Sequence, residues 1–283
     1  MSADITLFHD SVWNYIGGKV YKCGHCELLF IHPMMNDEEE LAFYKNYNAH
    51  VLARGVTATA TALELHNASL SAARERLAIV SKFIKEGSKV LEIGSATGAF
   101  LSLLTHCETH ACELNDENRS FSTQFLTGSS YPDVASVDSG GFDVICLFHV
   151  FEHIRRPQDF LGRCKELLSA AGVLIIEVPC ADDPLISLYD CEAFKDFVFQ
   201  PMHPMVYSET SLDYVFLNAG YRKTEVIYHQ RYGLANHLAW FKNKRPGGDA
   251  YLEGLFSGWD HYKDVLRDVR KTDTIYYIAK SMN

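Results

Sequence analysis

The chain of 283 residues carries 26 Lys and Arg against 36 Asp and Glu, a formal charge of −10, so long-range attraction to nucleic acid or to an anionic membrane is not expected. A hydrophobic fraction of 47% suffices for one large α/β domain with additions, and no stretch approaches the roughly 18 consecutive apolar residues of a membrane span. The start, MSADITLFHD, has neither a basic region nor an apolar signal core, and the expectation is a soluble cytoplasmic protein acting on a small molecule.

Residues 1–36 read as short extended pieces around Cys23 and Cys26, the one close pair among eight Cys that otherwise lie scattered, as reduced thiols would. From Asp37 an acidic start leads into LAFYKNY, a helix with Tyr44 and Tyr47. Leu70, Ala73, Leu77, Val80 and Ile84 then recur at spacings of three and four, one apolar stripe on a helix that Gly87 terminates.

Four apolar runs follow, KVLEI, THACEL, FDVICLF and GVLIIEVP, separated by amphipathic stretches. That alternation predicts a mainly parallel sheet covered on both faces. SSYPDVASVDS, where a third strand belongs, has little β character. Pro157 opens a helix through Phe160, Leu161, Cys164, Leu167 and Leu168 that Gly172 ends, and Ser208 caps another through Leu212, Val215 and Phe216 that Gly220 closes. YRKTEVIYHQ and TDTIYYIAK read as two late strands, and the insertion between them, Arg231 to Lys271, covers an active site or an oligomer interface. The oligomeric state is left open.

KVLEIGSATGAF reads as a buried strand, a turn of small residues and a helix starting near Ala99. Gly94 and Gly98 let the backbone turn sharply and approach a ligand, while N–H groups at a helix start attract an anionic group. Glu113 ends the next strand, 19 residues after Gly94, where a carboxylate accepts hydrogen bonds from ribose hydroxyls.

In combination, EIGSATG, Glu113 and FDVICLFHVFEH resemble the class I S-adenosylmethionine (SAM)-dependent methyltransferases, over roughly residues 71–228. The resemblance implies an α/β Rossmann-like fold whose seven-stranded, mostly parallel sheet has its last strand antiparallel. It divides the chain into an N-terminal cap (1–69), a SAM-binding core (70–230), an insertion (231–271) and a final core strand (272–283). It also implies SAM as cofactor and S-adenosylhomocysteine as product, with contacts from Glu92, Gly94, Ser95, Ala96, Thr97, Gly98, Glu113, Leu114, Phe148, His149 and Tyr47. Ala96 departs from the Gly that the family often has at the middle of the turn. Two alternatives stay open: a non-catalytic SAM-binding member of the fold, and an NAD-dependent oxidoreductase, whose GxGxxG pattern is absent because Ser95, Ala96 and Thr97 stand between Gly94 and Gly98.

Methyl transfer from a sulfonium needs a positioned acceptor, a group that takes its proton, and exclusion of water. A histidine suits an acceptor hydroxyl or ammonium near neutral pH, and the expected acceptor atom is an oxygen, with nitrogen or carbon as the alternatives. His203, in FQPMHPMVYSETSLDYVF, resembles the family's acceptor-facing His and is the first candidate base. His149, at the carboxyl edge of the sheet, is the second, or a wall of the cofactor site, and the other reading of His149 and His153 is that they fix the loop by hydrogen bonding. Tyr44 and Tyr47 resemble a helix that folds over the cofactor, against the alternative of plain aromatic packing, and Arg74 is either a partner of the cofactor carboxylate or a solvated helix face.

YKCGHCELLFIHP has the CxxC knuckle that supplies two zinc ligands, Cys23 and Cys26, and resembles the second knuckle of a zinc-bearing region in some sugar methyltransferases. The first CxxC is missing, so either His9, His25 or His32 substitutes or the pair is a turn with free thiols. The knuckle, the His203 segment and RYGLANHLAWFKNKRPGG resemble enzymes of surface-polysaccharide and nucleotide-sugar pathways. The acceptor is accordingly expected to be a sugar, a nucleotide-sugar or a phosphorylated sugar, with Arg155, Arg156, Arg163, Lys165, Lys242, Lys244 and Arg245 as candidate phosphate contacts.

Overall fold

The computed structural model describes residues 4–45 and 61–282, so Tyr47 lies outside the described residues, as does the side chain of Tyr44. Near the N-terminus, β1 (Ile5–His9), β2 (Lys19–Cys23) and β3 (Leu29–His32) form an antiparallel meander, followed by α1 (Asp37–Lys45). The apolar stripe from Leu70 to Val80 lies on α2 (Ala62–Val80), which begins at a capping box between Thr61 and Glu64; a 3-10 turn at Ser81–Phe83 follows and Ile84 is already extended, so the helix ends before Gly87 rather than at it.

Four strand runs take the places the sequence assigns them, as β4 (Lys89–Ile93), β5 (Glu108–Cys112), β7 (Phe142–Phe148) and β8 (Leu168–Pro179). Between β5 and β7 lie α3 (Asp116–Ser122) and a two-residue β6 (Ser130–Tyr131), which is all that the weak third segment yields. Alternation along the strands sends Leu91, Ile145, Leu147, Leu174 and Ile176 into one buried cluster and Val90, Val144, Cys146, Val173 and Ile175 into the other. The sheet is therefore covered on both faces.

After β7, α4 (Pro157–Leu167) passes straight into β8, so Gly172 does not end the helix. It sits within β8, where a Cβ would lie 2.6 Å from the Phe142 carbonyl oxygen, and that close approach explains the glycine. The α helix expected from Ala99 is likewise only a 3-10 turn, Leu101–Leu103, because Glu108 already begins the next strand.

The chain continues through α5 (Pro184–Ser187), α6 (Glu192–Val198), β9 (Met205–Val206), α7 (Glu209–Asn218) and β10 (Tyr221–His229). The insertion folds as α8 (Leu234–Asn243), α9 (Ala250–Leu255) and α10 (His261–Asp268), and β11 (Thr274–Ser281) closes the sheet. The seven-stranded order is β10-β11-β8-β7-β4-β5-β6, parallel from β8 to β6, with β11 antiparallel to both of its neighbours.

A second sheet, β1-β2-β3-β9, ties the N-terminal meander to the segment that carries His203. Leu29 pairs with Val206, Phe30 pairs with Met205, and the Ile31 N–H donates to the Pro204 carbonyl at 2.9 Å. Among the described residues no helix is long and apolar enough to cross a membrane.

Candidate functional site

The turn after β4 lies at the carboxyl edge of the parallel strands, where open α/β sheets bind ligands. Gly94 has φ +74°, and a Cβ there would come within 2.3 Å of Val150 Cγ2. The Gly94 and Ser95 N–H groups donate to the Cys112 carbonyl at 2.8 and 3.2 Å. Ala96, at the position that departs from the family, takes φ 44°. Its N–H donates to Glu113 Oε2 and the Asn115 N–H to Glu113 Oε1, each at 2.8 Å. Each carboxylate oxygen keeps a lone pair for a further donor.

Two buried polar atoms beside the turn have no partner, Glu92 Oε2 and Ser95 Oγ. Burial pushes the Glu92 carboxyl up to about 8, against the pull of Arg76 and with help from Glu113. A buried acid with an empty acceptor fits the ammonium of the cofactor's amino acid end. Leu114, 81% exposed, offers an apolar face next to Glu113, and Phe148 packs on Phe100 with ring centroids 4.8 Å apart. Thr97 is buried, and its carbonyl lies 3.2 Å from His66 Nδ1. The residues present therefore fit SAM: Glu92 and Ser95 for its polar end, Glu113 for the ribose, and Leu114 for the base.

A charged network separates this turn from the next cavity. Arg76 Nε donates to Glu177 Oε2 at 2.6 Å, and Tyr276 Oη donates to Glu177 Oε1 at 2.8 Å. His149, with φ 56°, places Nδ1 3.3 Å from Glu152 Oε1 and Nε2 3.5 Å from Glu177 Oε1. Burial alone opposes a charge on this ring, but the two carboxylates outweigh it and raise His149 to about 9. Burial also opposes ionisation of Glu177, and His149 and Arg76 overcome it, holding that carboxyl down to about 2. Both ring nitrogens of His149 face carboxylates, Nε2 also lies 3.3 Å from Arg231 Nη1, and the ring stands as a wall between the cofactor turn and the next cavity.

Beyond that wall lies a cavity of about 510 Å³. His149, Glu152 and His153 bound it on the cofactor side, His203 and Met205 on the side of the small sheet, and Arg231 with Asp273 at the foot of the insertion. The His153 and His203 rings meet edge to face with centroids 4.6 Å apart, and the Gln200 amide lies 3.2 Å from His203 Nδ1. Arg231 Nε donates to Asp273 Oδ1 at 3.0 Å. Asp183, also on the wall, caps α5 through the Leu185 N–H, and burial together with Asp273 pushes its carboxyl up to about 7.

Other sequence candidates lie elsewhere. Arg74 is on the exposed face of α2, and the guanidinium that reaches the site belongs to Arg76, three residues after the buried Ala73. Arg155 donates to the Met35 carbonyl and pairs with Glu40, Arg163 braces the Val134 and Val137 carbonyls, Lys165 the Met282 carbonyl, and Lys242 pairs with Asp249. Arg156, Lys244 and Arg245 are exposed, and none of these seven lines the cavity.

Cys23 and Cys26 sit at the β2–β3 turn with no third ligand-type side chain gathered to them among the described residues. His9 bonds Asp196, His25 packs on Tyr214 and His32 on Tyr21, so none of the three completes the pair. Glu177, Arg231 and Asp273 were not singled out from sequence. Glu177 left a readable signal, as the lone acid within the buried run GVLIIEVP.

A seven-stranded sheet of this order, with a glycine turn and an acid after the next strand at its carboxyl edge, defines a class I methyltransferase fold. The profile of a methyltransferase-domain family matches residues 65–226, and the chain belongs to that family of SAM-dependent methyltransferases. SAM is its cofactor. No curated protein sequence matches.

Solved structures agree on the fold. A SAM-dependent methyltransferase from Archaeoglobus fulgidus is 18% identical, covers 75% of this chain and 95% of its own, and superposes with a TM-score of 0.53. One from Thermotoga maritima, a possible histamine N-methyltransferase, is 14% identical over 85% and 97%, with a TM-score of 0.50. A Haloferax volcanii methyltransferase solved with the Trm112 activator is 13% identical over 88% and 98%, also with a TM-score of 0.50.

Proposed function

We propose that the protein transfers the SAM methyl group to a hydroxyl oxygen of a small, sugar-like acceptor held in the 510 Å³ cavity, with His203 as the residue through which the hydroxyl proton is removed. When bound, SAM supplies a methyl group already activated on a sulfonium. The chain's own residues then orient the acceptor, keep water out and deal with one proton.

The observation that carries this reading is the position of the cavity, bounded on one side by the residues that follow β7, a cofactor-side strand, and on the other by His203. Glu152, Asp183, Gln200 and Asp273 give it the hydrogen-bonding groups that a polyhydroxylated molecule satisfies. Arg231, itself paired with Asp273, is the cavity's one Lys or Arg among the described residues, which favours the sugar portion of an acceptor here over its phosphates. The −10 charge favours a small acceptor over nucleic acid, in the cytoplasm, and the insertion 231–271 acts as the outer cover of the site.

His203→Ala should leave the SAM dissociation constant within about twofold by calorimetry and lower kcat by about a hundredfold or more. Unchanged turnover removes His203 from the reaction. The acceptor is to be found by incubating sugars, phosphorylated sugars and nucleotide-sugars with SAM and measuring S-adenosylhomocysteine.

A further inference from the structure

Glu152, His153 and His203 are more than a polar wall. Each offers one ligand atom, and the three atoms lie within 4.8 Å of one another. Glu152 is 2% exposed and its Oε2 has no hydrogen-bond partner, while Nδ1 of His153 is buried and likewise unpartnered. A buried carboxylate oxygen without a partner is destabilising unless a cation or donor meets it. His149 approaches only the other oxygen, Oε1.

We infer that Glu152, His153 and His203 bind one divalent transition-metal ion at the wall of the acceptor cavity, leaving its remaining coordination positions open to the acceptor. Two imidazole nitrogens with one carboxylate oxygen favour Zn2+ or Fe2+ over the oxygen-seeking Mg2+, Ca2+ and Mn2+, and three protein ligands with open positions mark a catalytic rather than a structural site. Ligands at about 2.1 Å from a shared ion stand roughly 3–3.5 Å apart, so the set closes from its present spacing by side-chain rotations of about 1 Å. The surrounding groups already hold the ligands in place. His149 donates to Glu152 Oε1 across 3.3 Å, and the Gln200 amide borders the His203 ring.

The inference rests on reading this cavity as the acceptor's site, and it deepens that reading by giving His203 its part as a ligand. An acceptor hydroxyl at an open position becomes more acidic and releases its proton to solvent outside the cavity. The oxygen lone pair forms the new bond to the methyl carbon as the carbon–sulfur bond breaks, and sulfur keeps that electron pair as a thioether. The cysteine pair at the β2–β3 turn, though without a third ligand among the described residues, is the control for metal bound elsewhere.

The test begins with chelator-stripped protein titrated with Zn2+ by calorimetry and with Co2+ by visible absorption, stoichiometry being checked by elemental mass spectrometry. One ion per chain is expected, bound about tenfold or more weaker in Glu152→Gln and His203→Ala, and unaffected in the double variant Cys23→Ser, Cys26→Ser. SAM affinity and melting temperature report that each variant is folded, and the near-isosteric Glu152→Gln guards against a collapsed cavity. No binding, or binding lost in the cysteine variant but kept in Glu152→Gln and His203→Ala, overturns the site. Full turnover by the stripped enzyme also overturns it and leaves His203 as a direct base. Metal binding without methylation of any hydroxyl acceptor would instead remove the proposed function and leave the site standing.

Discussion

The cofactor turn and the acceptor cavity lie on opposite sides of one charged wall, and they are built in opposite ways. At the turn, contacts come from backbone N–H groups and from side chains close together in sequence, between Glu92 and Asn115. At the cavity, side chains converge from the ends of β7 and β8, the loop before β9, the start of the insertion and the residue before β11. A site made by local backbone is set by turn chemistry, whereas one made by distant side chains depends on the whole fold being in place.

Gly94→Ala should separate the two most forcefully. With φ +74° and Val150 Cγ2 only 2.3 Å from the added Cβ, it should cost roughly 2–4 kcal/mol in native stability and weaken SAM by about thirtyfold or more. Denaturant melts and calorimetry measure both, and an unaltered SAM affinity would break the claim that backbone geometry makes this site. Glu113→Ala comes next. It removes the acceptor for the Ala96 and Asn115 N–H groups as well as the proposed ribose contact, and SAM binding should fall about 10- to 100-fold while the Zn2+ titration stays unchanged.

The cavity side is probed by pH. Asp183 is raised to about 7 in the folded chain, against about 3.9 unfolded, so the folded state holds a proton between pH 4 and 7 that the unfolded state has released. Its contribution is complete below pH 4 and is lost as pH rises through 7. Asp183→Asn, which keeps an acceptor for the Leu185 N–H, should flatten that decline and gain on the order of 1–3 kcal/mol at pH 8 relative to pH 4. Equal pH slopes for the two proteins would show that the carboxyl titrates normally.

The smallest effect is expected from Ala96→Gly. Relief of the left-handed alanine, about 1 kcal/mol, is nearly offset by the greater entropy of the unfolded glycine chain, and SAM affinity should move by less than about threefold. A tenfold change would mean that the turn with Ala96 differs in shape from one with glycine.

The same contrast decides what could be read from the sequence. KVLEI, FDVICLF and GVLIIEVP announced their strands because both faces are buried, and the Gly94 to Glu113 spacing pointed to a carboxylate that the structure sets against the Ala96 N–H of the turn. A two-residue error in α2 put the cofactor-side guanidinium on Arg74 instead of Arg76, since two positions rotate a side chain through about 200°. The helix expected at Ala99 failed because only a 3-10 turn fits before β5. The pairing of β3 with β9, and the meeting of His203 with Glu152 and His153, involve residues far apart along the chain, and no local periodicity encodes them.

The Leu29–Val206 pairing also has a consequence for the order of assembly. It closes a loop of about 175 residues, whereas the strands of the cofactor half join neighbours a few tens of residues apart. Long-range closure is the slow part of folding, because chain entropy is lost before the contact rewards it. On that ground the expected order of refolding is the methyl-donor pocket first and the register of the His203 segment last, when the N-terminal meander pairs with its partner strand.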